Sequence, residues 1–152
     1  MINVMIADDQ ELIRESLKIV LEMNEDMKVT AMARNGREAL AKLAETSVDI
    51  ILMDIRMPEL DGVLCTKAVK EKYPDVRIII LTTFDDDDYV YSALKYGASG
   101  YLLKGGSVQD LADAIRIVVS GGNILNPDVT NKVVKLFSQM GQGGYMAQAD
   151  LQ

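Results

Sequence analysis

The sequence predicts an α/β domain built on a doubly wound, five-stranded parallel sheet, with an extra helix near its C-terminal end. Three observations carry that prediction. Five short apolar runs recur along the chain, and each is followed by a stretch with helical apolar spacing. Strand–helix alternation of this kind leads to parallel strands, right-handed crossovers and helices on both faces of the sheet. The runs also end on polar residues: Asp8-Asp9, Asp54, Thr82-Thr83 and Lys104. In a parallel sheet those ends share one rim, where open α/β sheets bind ligands.

The elements follow in order. Ile2 to Ala7 reads as the first strand, and Asp8 or Asp9 can cap the helix behind it. Ile13, Leu17, Val20 and Leu21 give that helix one apolar stripe. Met27 to Ala33 is the second strand, Asn35-Gly36 turns the chain, and Ala39, Leu40 and Leu43 face inward from a short helix. Ile50 to Met53 is a run suited to a strand buried on both faces, and it stops on Asp54. Pro58 and Asp61-Gly62 force a turn. A third helix then runs to about Lys72, with Leu64, Ala68 and Val69 expected inside.

Val76 to Leu81 is the fourth strand. The acidic run Asp85 to Asp88 suits the positive end of a fourth helix, whose inner face is expected at Val90, Ala93 and Leu94. Tyr101 to Leu103 is the fifth strand, ending on Lys104. Ser107 can cap a fifth helix with Val108, Leu111, Ile115 and Val118 inward, and Gly121-Gly122 stops it. Pro127 fits the first position of a further helix with Val129, Val133, Leu136 and Met140 in a stripe. The expected division is a domain over residues 1–121, a linker helix over 122–140, and a Gly/Gln-rich tail over 141–152 without fixed structure.

Composition narrows the chemistry. The chain has 152 residues, 49% of them hydrophobic, which suits one domain with a real core. Asp+Glu total 23 against 16 Lys+Arg, a net charge of -7 that is a poor match for a phosphate backbone. The absence of histidine excludes Ser-His-Asp and Cys-His catalysis and histidine metal sites. Cys65 is the single cysteine, so no internal disulfide forms, as expected of a reduced cytoplasmic protein. No apolar run is long enough to span a membrane.

Collected on the shared rim are Asp8, Asp9, Asp54, Thr82 and Lys104. Separately, the aspartates could be helix caps, Thr82 a strand end and Lys104 a solvated lysine. Together they are a coherent set. Crowded carboxylates repel unless a cation or proton intervenes. Mg²⁺ (or Mn²⁺) suits an oxygen-only donor set that leaves room for water and a phosphate oxygen. The simplest chemistry is attack of the Asp54 carboxylate on a phosphoryl group, with Mg²⁺ and Lys104 offsetting the transferring charge. The Asp85–Asp88 run lacks the alternating pattern of a calcium loop.

The sequence resembles a response regulator receiver domain of two-component systems, with the flavodoxin-like, CheY-like (βα)5 fold. The resemblance rests on Asp8-Asp9, on Asp54 followed by Met57-Pro58 and Asp61-Gly62, on Thr82, and on Gly97-Ala98 leading through Tyr101 to Lys104. It implies that Asp54 accepts a phosphoryl group from a sensor histidine kinase. It implies that Asp9, Asp54 and the Arg56 carbonyl bind Mg²⁺, that Asp8 acts mainly through water, and that Thr82 and Lys104 contact phosphoryl oxygens. Thr82 and Tyr101 would form a switch, and Arg56, Thr83 and Phe84 would modulate the phosphoryl lifetime. No independent substrate turnover is expected. The stretch from Thr82 to Asp85, that from Gly97 to Lys104, and Gly121-Gly122 before Pro127 are similar to the NarL/FixJ branch, whose members carry a LuxR-type DNA-binding domain. No basic helical pair follows Met140, so DNA contact is expected only through a domain outside this chain, which would be a fragment or natural truncation. Gly105 stands where many receivers have proline. A homodimer on phosphorylation is the expected output. A stand-alone receiver acting through protein binding is the alternative. A haloacid-dehalogenase-like phosphohydrolase is disfavoured, because Arg56 stands where those enzymes place a second acid.

Overall fold

In a computed structural model, residues 1–82, 87–105 and 107–125 are described, together with Val134 and Ser138. The elements alternate from the start: β1 (Ile2–Ala7), α1 (Glu11–Leu21), β2 (Met27–Ala33), α2 (Gly36–Glu45), β3 (Ile50–Met53), α3 (Gly62–Lys72), β4 (Arg77–Thr82), α4 (Asp87–Lys95), β5 (Gly100–Leu103), α5 (Val108–Val119) and β6 (Ile124–Leu125). The strands form one parallel sheet in the order β2-β1-β3-β4-β5-β6. The chain winds outward in both directions from the β1/β3 pair, so a crevice opens at the carboxyl ends of those two strands.

Side-chain alternation splits the core into two layers. Val4, Ile6, Ile50, Leu52, Ile79 and Leu81 point to one face and meet Leu21 of α1 and Leu111, Ile115 and Val118 of α5. Met5, Ala7, Ile51, Met53, Ile78 and Ile80 point to the other and meet Ala39, Val63, Cys65, Val69 and Ala93 of α2, α3 and α4. Strand β3 is buried over all four residues because it lies between β1 and β4 with helices on both sides. This is the reason its sequence runs apolar without alternating.

Four expectations need correcting. The sheet has a sixth strand: Ile124 and Leu125 pair with Gly100 and Tyr101, past position 121. Two residues are too few to show a period. Leu64 is 49% exposed, and the inner face of α3 is Val63, Cys65, Thr66 and Val69. The phase of this helix is set by its first residue, Gly62, which lies against the Asp54 backbone. Val108 is 48% exposed because it opens α5 ahead of the buried stripe, which starts at Leu111. The N-cap of α1 is Gln10, with no side-chain cap; Asp8 instead accepts a hydrogen bond from the Gln10 amide. The caps expected at Asn35 and Ser107 are present, accepting from the Glu38 and Asp110 amides. Asp85 and Asp86 lie outside the described residues. So does the stripe Val129, Val133, Leu136 and Met140, with the rest of the expected linker helix beyond Leu125 except Val134 and Ser138.

Candidate functional site

The sheet's own hydrogen bonds fix the two inner aspartates. The Asp54 amide donates to the Ala7 carbonyl at 2.9 Å, and the Asp8 amide donates to the Ala33 carbonyl at 3.0 Å. Each bond carries a ladder one residue past its strand, so both aspartates leave the sheet on rigid backbone. Asp8 is 2% exposed and Asp54 8%. Asp9, one residue further, is exposed. Carboxylate oxygens of Asp8, Asp9 and Asp54 lie within 4.8 Å of one another.

Lys104 leaves the end of β5 and reaches into this cluster. Its Nζ lies 2.7 Å from Asp8 Oδ2, to which it donates a hydrogen bond, and 3.5 Å from Asp54 Oδ2. Asp54 Oδ1 accepts from the Ile55 amide at 2.9 Å, so one oxygen is held by the backbone while the other faces the ammonium. Burial pushes the Asp54 carboxyl above its usual range. The nearby Lys104 charge opposes that shift and the Asp8 charge adds to it.

The loop after Asp54 folds tightly back. Ile55 O accepts from the amides of Met57 and Gly62, and Leu60 N donates to Pro58 O. Glu59 takes a left-handed φ of 67° to make this turn. Gly62 has to be glycine: a Cβ there would lie 2.0 Å from the Asp54 carbonyl oxygen. Asp61 caps α3 through the Leu64 amide. The carbonyl of Leu60 accepts from the Gly36 amide, tying the loop to α2.

Of the residues expected at the site, the structure brings together Asp8, Asp9, Asp54 and Lys104. Arg56 is exposed in the loop two residues past Asp54. Thr82 ends β4 with its backbone in register with Leu103. Tyr101, on β5, is fully buried at 0% exposure. Thr83 and Phe84 lie outside the described residues. Two contributors were missed in the sequence. Arg14 donates to the Asp8 carbonyl at 2.7 Å from the first turn of α1. The Ile55 amide, the other, has no side-chain signature at all. Cys65 is buried and its thiol is pushed up to about 12, by burial first and the Asp61 charge second. It is packing, not chemistry.

The donor set fits Mg²⁺ on the structure's own terms. All three donors are carboxylates, their oxygens converge, and the buried Asp54 carboxylate carries uncompensated negative charge that a cation would offset.

Comparisons with known proteins agree with this geometry. The family model described as the response regulator receiver domain matches residues 4–116. The transcriptional regulatory protein LnrK of Bacillus subtilis (strain 168) is 45% identical over 134 residues, covering 88% of this chain and 61% of that protein. DegU of Brevibacillus brevis is 38% identical, covering 91% of this chain and 59% of its own length. The chain thus spans about three fifths of these curated relatives. The crystal structure of a LuxR-family two-component response regulator from Aurantimonas sp. SI85-9A1 superposes with a TM-score of 0.83 at 27% identity, covering 90% of this chain and 97% of that one. With its β1/β3 acidic crevice and relatives in the NarL/LuxR family of regulators, the chain belongs to the response regulator receiver domain family.

Proposed function

We propose that Asp54 is the residue phosphorylated in two-component signalling. The observation that carries this reading is a buried carboxylate at the end of the central strand, 3.5 Å from the Lys104 ammonium and within 4.8 Å of two further carboxylates. An Asp54 oxygen attacks phosphorus of a phosphohistidine on a sensor kinase. The new O–P bond forms as the P–N bond breaks, and the histidine keeps the electron pair. Mg²⁺ or Mn²⁺, when bound, supplies positive charge to the phosphoryl oxygens. Asp9, Asp54 and the Arg56 carbonyl would hold it directly, and Asp8 through water. Lys104 swings from Asp8 toward the phosphoryl oxygens, a short move given its two distances. The Ile55 amide keeps the attacking carboxylate oriented throughout.

The output is a shift between two conformations. The Thr82 hydroxyl engages the phosphoryl group, and the Tyr101 ring occupies the space behind it. Support for this reading is the position of Tyr101 on β5, the strand paired with β4, which ends on Thr82. Arg56, Thr83 and Phe84 flank the water path and tune the lifetime of the acyl phosphate. The protein performs no turnover beyond the slow loss of its own phosphoryl group. It works in the cytoplasm. Among the described residues no helix is long and apolar enough to cross a membrane. Phosphorylation favours a homodimer, and DNA is reached through a separate domain, as the transcriptional relatives' names suggest. The domain extends through β6 to Leu125.

The test is incubation with acetyl phosphate and Mg²⁺, followed by intact mass. The parent chain should gain one phosphoryl group and Asp54→Ala none. An unmodified parent chain would sink the assignment. Light scattering before and after the reaction reads the dimer, and an unchanged monomer mass would remove that part.

A further inference from the structure

The connection from β1 to α1 is Asp8-Asp9-Gln10, and it carries two of the three converging carboxylates. Asp8 is held at its amide, its carbonyl and both carboxylate oxygens. Its amide donates to the Ala33 carbonyl at 3.0 Å, its Oδ1 accepts from the Gln10 amide at 2.9 Å, and its Oδ2 accepts from Lys104 Nζ at 2.7 Å. Its carbonyl accepts from Arg14 Nη1 at 2.7 Å. Asp9 is different. It is exposed, and among the described residues no hydrogen bond or ion pair fixes its carboxylate.

The direction of Asp9 is therefore set by its backbone. The Asp8 carbonyl and the Asp9 amide belong to one planar peptide unit. Arg14 grips that unit by its oxygen. Arg14 is itself anchored in the first turn of α1, where its amide donates to the Gln10 carbonyl at 3.1 Å. The two bonds bridge Asp9: the side chain of Arg14 holds the peptide before it, and the backbone of Arg14 holds the residue after it. Gln10 offers no side-chain cap that could do this instead. Among the described residues Arg14 forms no ion pair with an acid, so its guanidinium is spent on this carbonyl.

From these contacts we infer that Arg14 is a positioning residue for the divalent cation: by fixing the Asp8–Asp9 peptide it aims the Asp9 carboxylate into the cluster. The inference rests on the proposed metal role of Asp9 and adds what holds Asp9 in place. The sign of the effect separates positioning from charge. A guanidinium close to a cation site repels the cation, so charge alone predicts tighter binding when Arg14 is removed. Positioning predicts weaker binding, on the roughly 10–100-fold scale of groups that orient metal ligands.

The experiment is a Mg²⁺ titration of the full 152-residue chain with no phosphoryl donor present, read from the amide NMR shifts of Asp9, Asp54 and Ile55. Arg14→Met removes the donor and keeps a long side chain that favours the helix. Arg14→Lys keeps the charge and a donor on a shorter stem. Lys18→Met removes an equal charge from the same helix without touching Asp8. The Kd for Mg²⁺ should rise about tenfold in Arg14→Met, lie between that value and the parent's in Arg14→Lys, and stay at the parent's in Lys18→Met. A Kd for Arg14→Met at or below the parent's would overturn the inference, as would an equal rise in Lys18→Met. Should Arg14→Met fail to fold, Arg14→Lys decides, and a Kd no higher than the parent's overturns the inference. A parent chain that binds no Mg²⁺ would defeat the metal reading and this inference with it. A parent that binds Mg²⁺ beside an Arg14→Met variant that binds equally well would overturn the inference alone.

Discussion

Replacing Asp54 by asparagine should stabilise the protein in the absence of divalent cations. Three charges of different weight act on Asp54, one favouring its ionised form and two opposing it. Lys104 at 3.5 Å attracts it by about 4.7 kcal/mol at an effective dielectric of about 20. Asp8, with oxygens no more than 4.8 Å away, repels it by at least about 3.5 kcal/mol on the same basis. The exposed Asp9, screened by water, adds roughly 0.9 kcal/mol. These charge terms nearly cancel, so burial decides, which is why the carboxyl is raised. Asparagine keeps an acceptor for the Ile55 amide and removes the buried charge. A gain in stability follows at neutral pH, because the raised carboxyl marks a net cost of the buried charge. With a raised folded value, the native state binds the proton more tightly than the unfolded chain, whose value is near 3.8. The parent protein's stability from this group therefore rises as pH falls through the folded value, and is complete below the unfolded one. The advantage of Asp54→Asn must shrink over that window. Urea unfolding in EDTA between neutral pH and pH 4 measures it, provided the m-value is constant. Saturating Mg²⁺ should reverse the order of the two proteins, since a ligand at 100 times its Kd adds about 2.7 kcal/mol to the chain that binds it. An Asp54→Asn variant no more stable than the parent in EDTA at neutral pH would refute this charge balance.

Three further outcomes are expected. Gly62→Ala sets a methyl 2.0 Å from the Asp54 carbonyl oxygen, so α3 must retreat by more than about 1 Å. Urea unfolding should show a loss of about 1–3 kcal/mol, and acetyl phosphate labelling should slow because the Asp54 loop moves with the helix. Lys104→Met leaves the Asp8 and Asp54 carboxylates without their ammonium. It should cost about 3 kcal/mol, as for removing one member of a buried pair, with part of the loss recovered when Mg²⁺ is added to the melt. Cys65 should give no reaction with a thiol reagent at pH 8 until the protein is unfolded; rapid labelling of the native chain would contradict its burial and its raised pKa.

Some of this architecture is legible in single residues, and some only in the assembled fold. β2 could be bounded at Met27 and Ala33 because an apolar run carrying Val29 and Thr30 sits between Asn24-Glu25-Asp26 and Asn35-Gly36. The acidic crevice could be read because parallel topology forces Asp8, Asp9 and Asp54 onto one rim, whatever their distance in sequence. The inner face of α3 could not be read. Its apolar residues include Val63, Leu64, Cys65, Ala68 and Val69, and two phases fit them about equally well. The choice is made outside the helix, by the close approach of Gly62 to the Asp54 carbonyl, and it turns Val63 inward and Leu64 out. The Lys104–Asp8 bond spans 96 positions and depends on strand order, so Lys104 could be assigned to the site but not to its resting partner.

That resting partner bears on how the site works. Lys104 is held nearer Asp8 than Asp54, and Arg14 pins the Asp8 carbonyl from the other side. Asp8 is thus restrained at both its backbone and its carboxylate, while Asp54 keeps one oxygen facing the ammonium without a short bond to it. The proposed attack of Asp54 on phosphorus gains from this arrangement. A short ion pair to Asp54 itself would lower its energy before reaction and oppose attack, whereas an ammonium 3.5 Å away is placed to meet charge that develops on an incoming phosphoryl group. On the proposed mechanism the neighbouring aspartate stores the lysine as well as facing the metal. The same aspartate, through its repulsion, keeps Asp54 short of full compensation until a cation arrives.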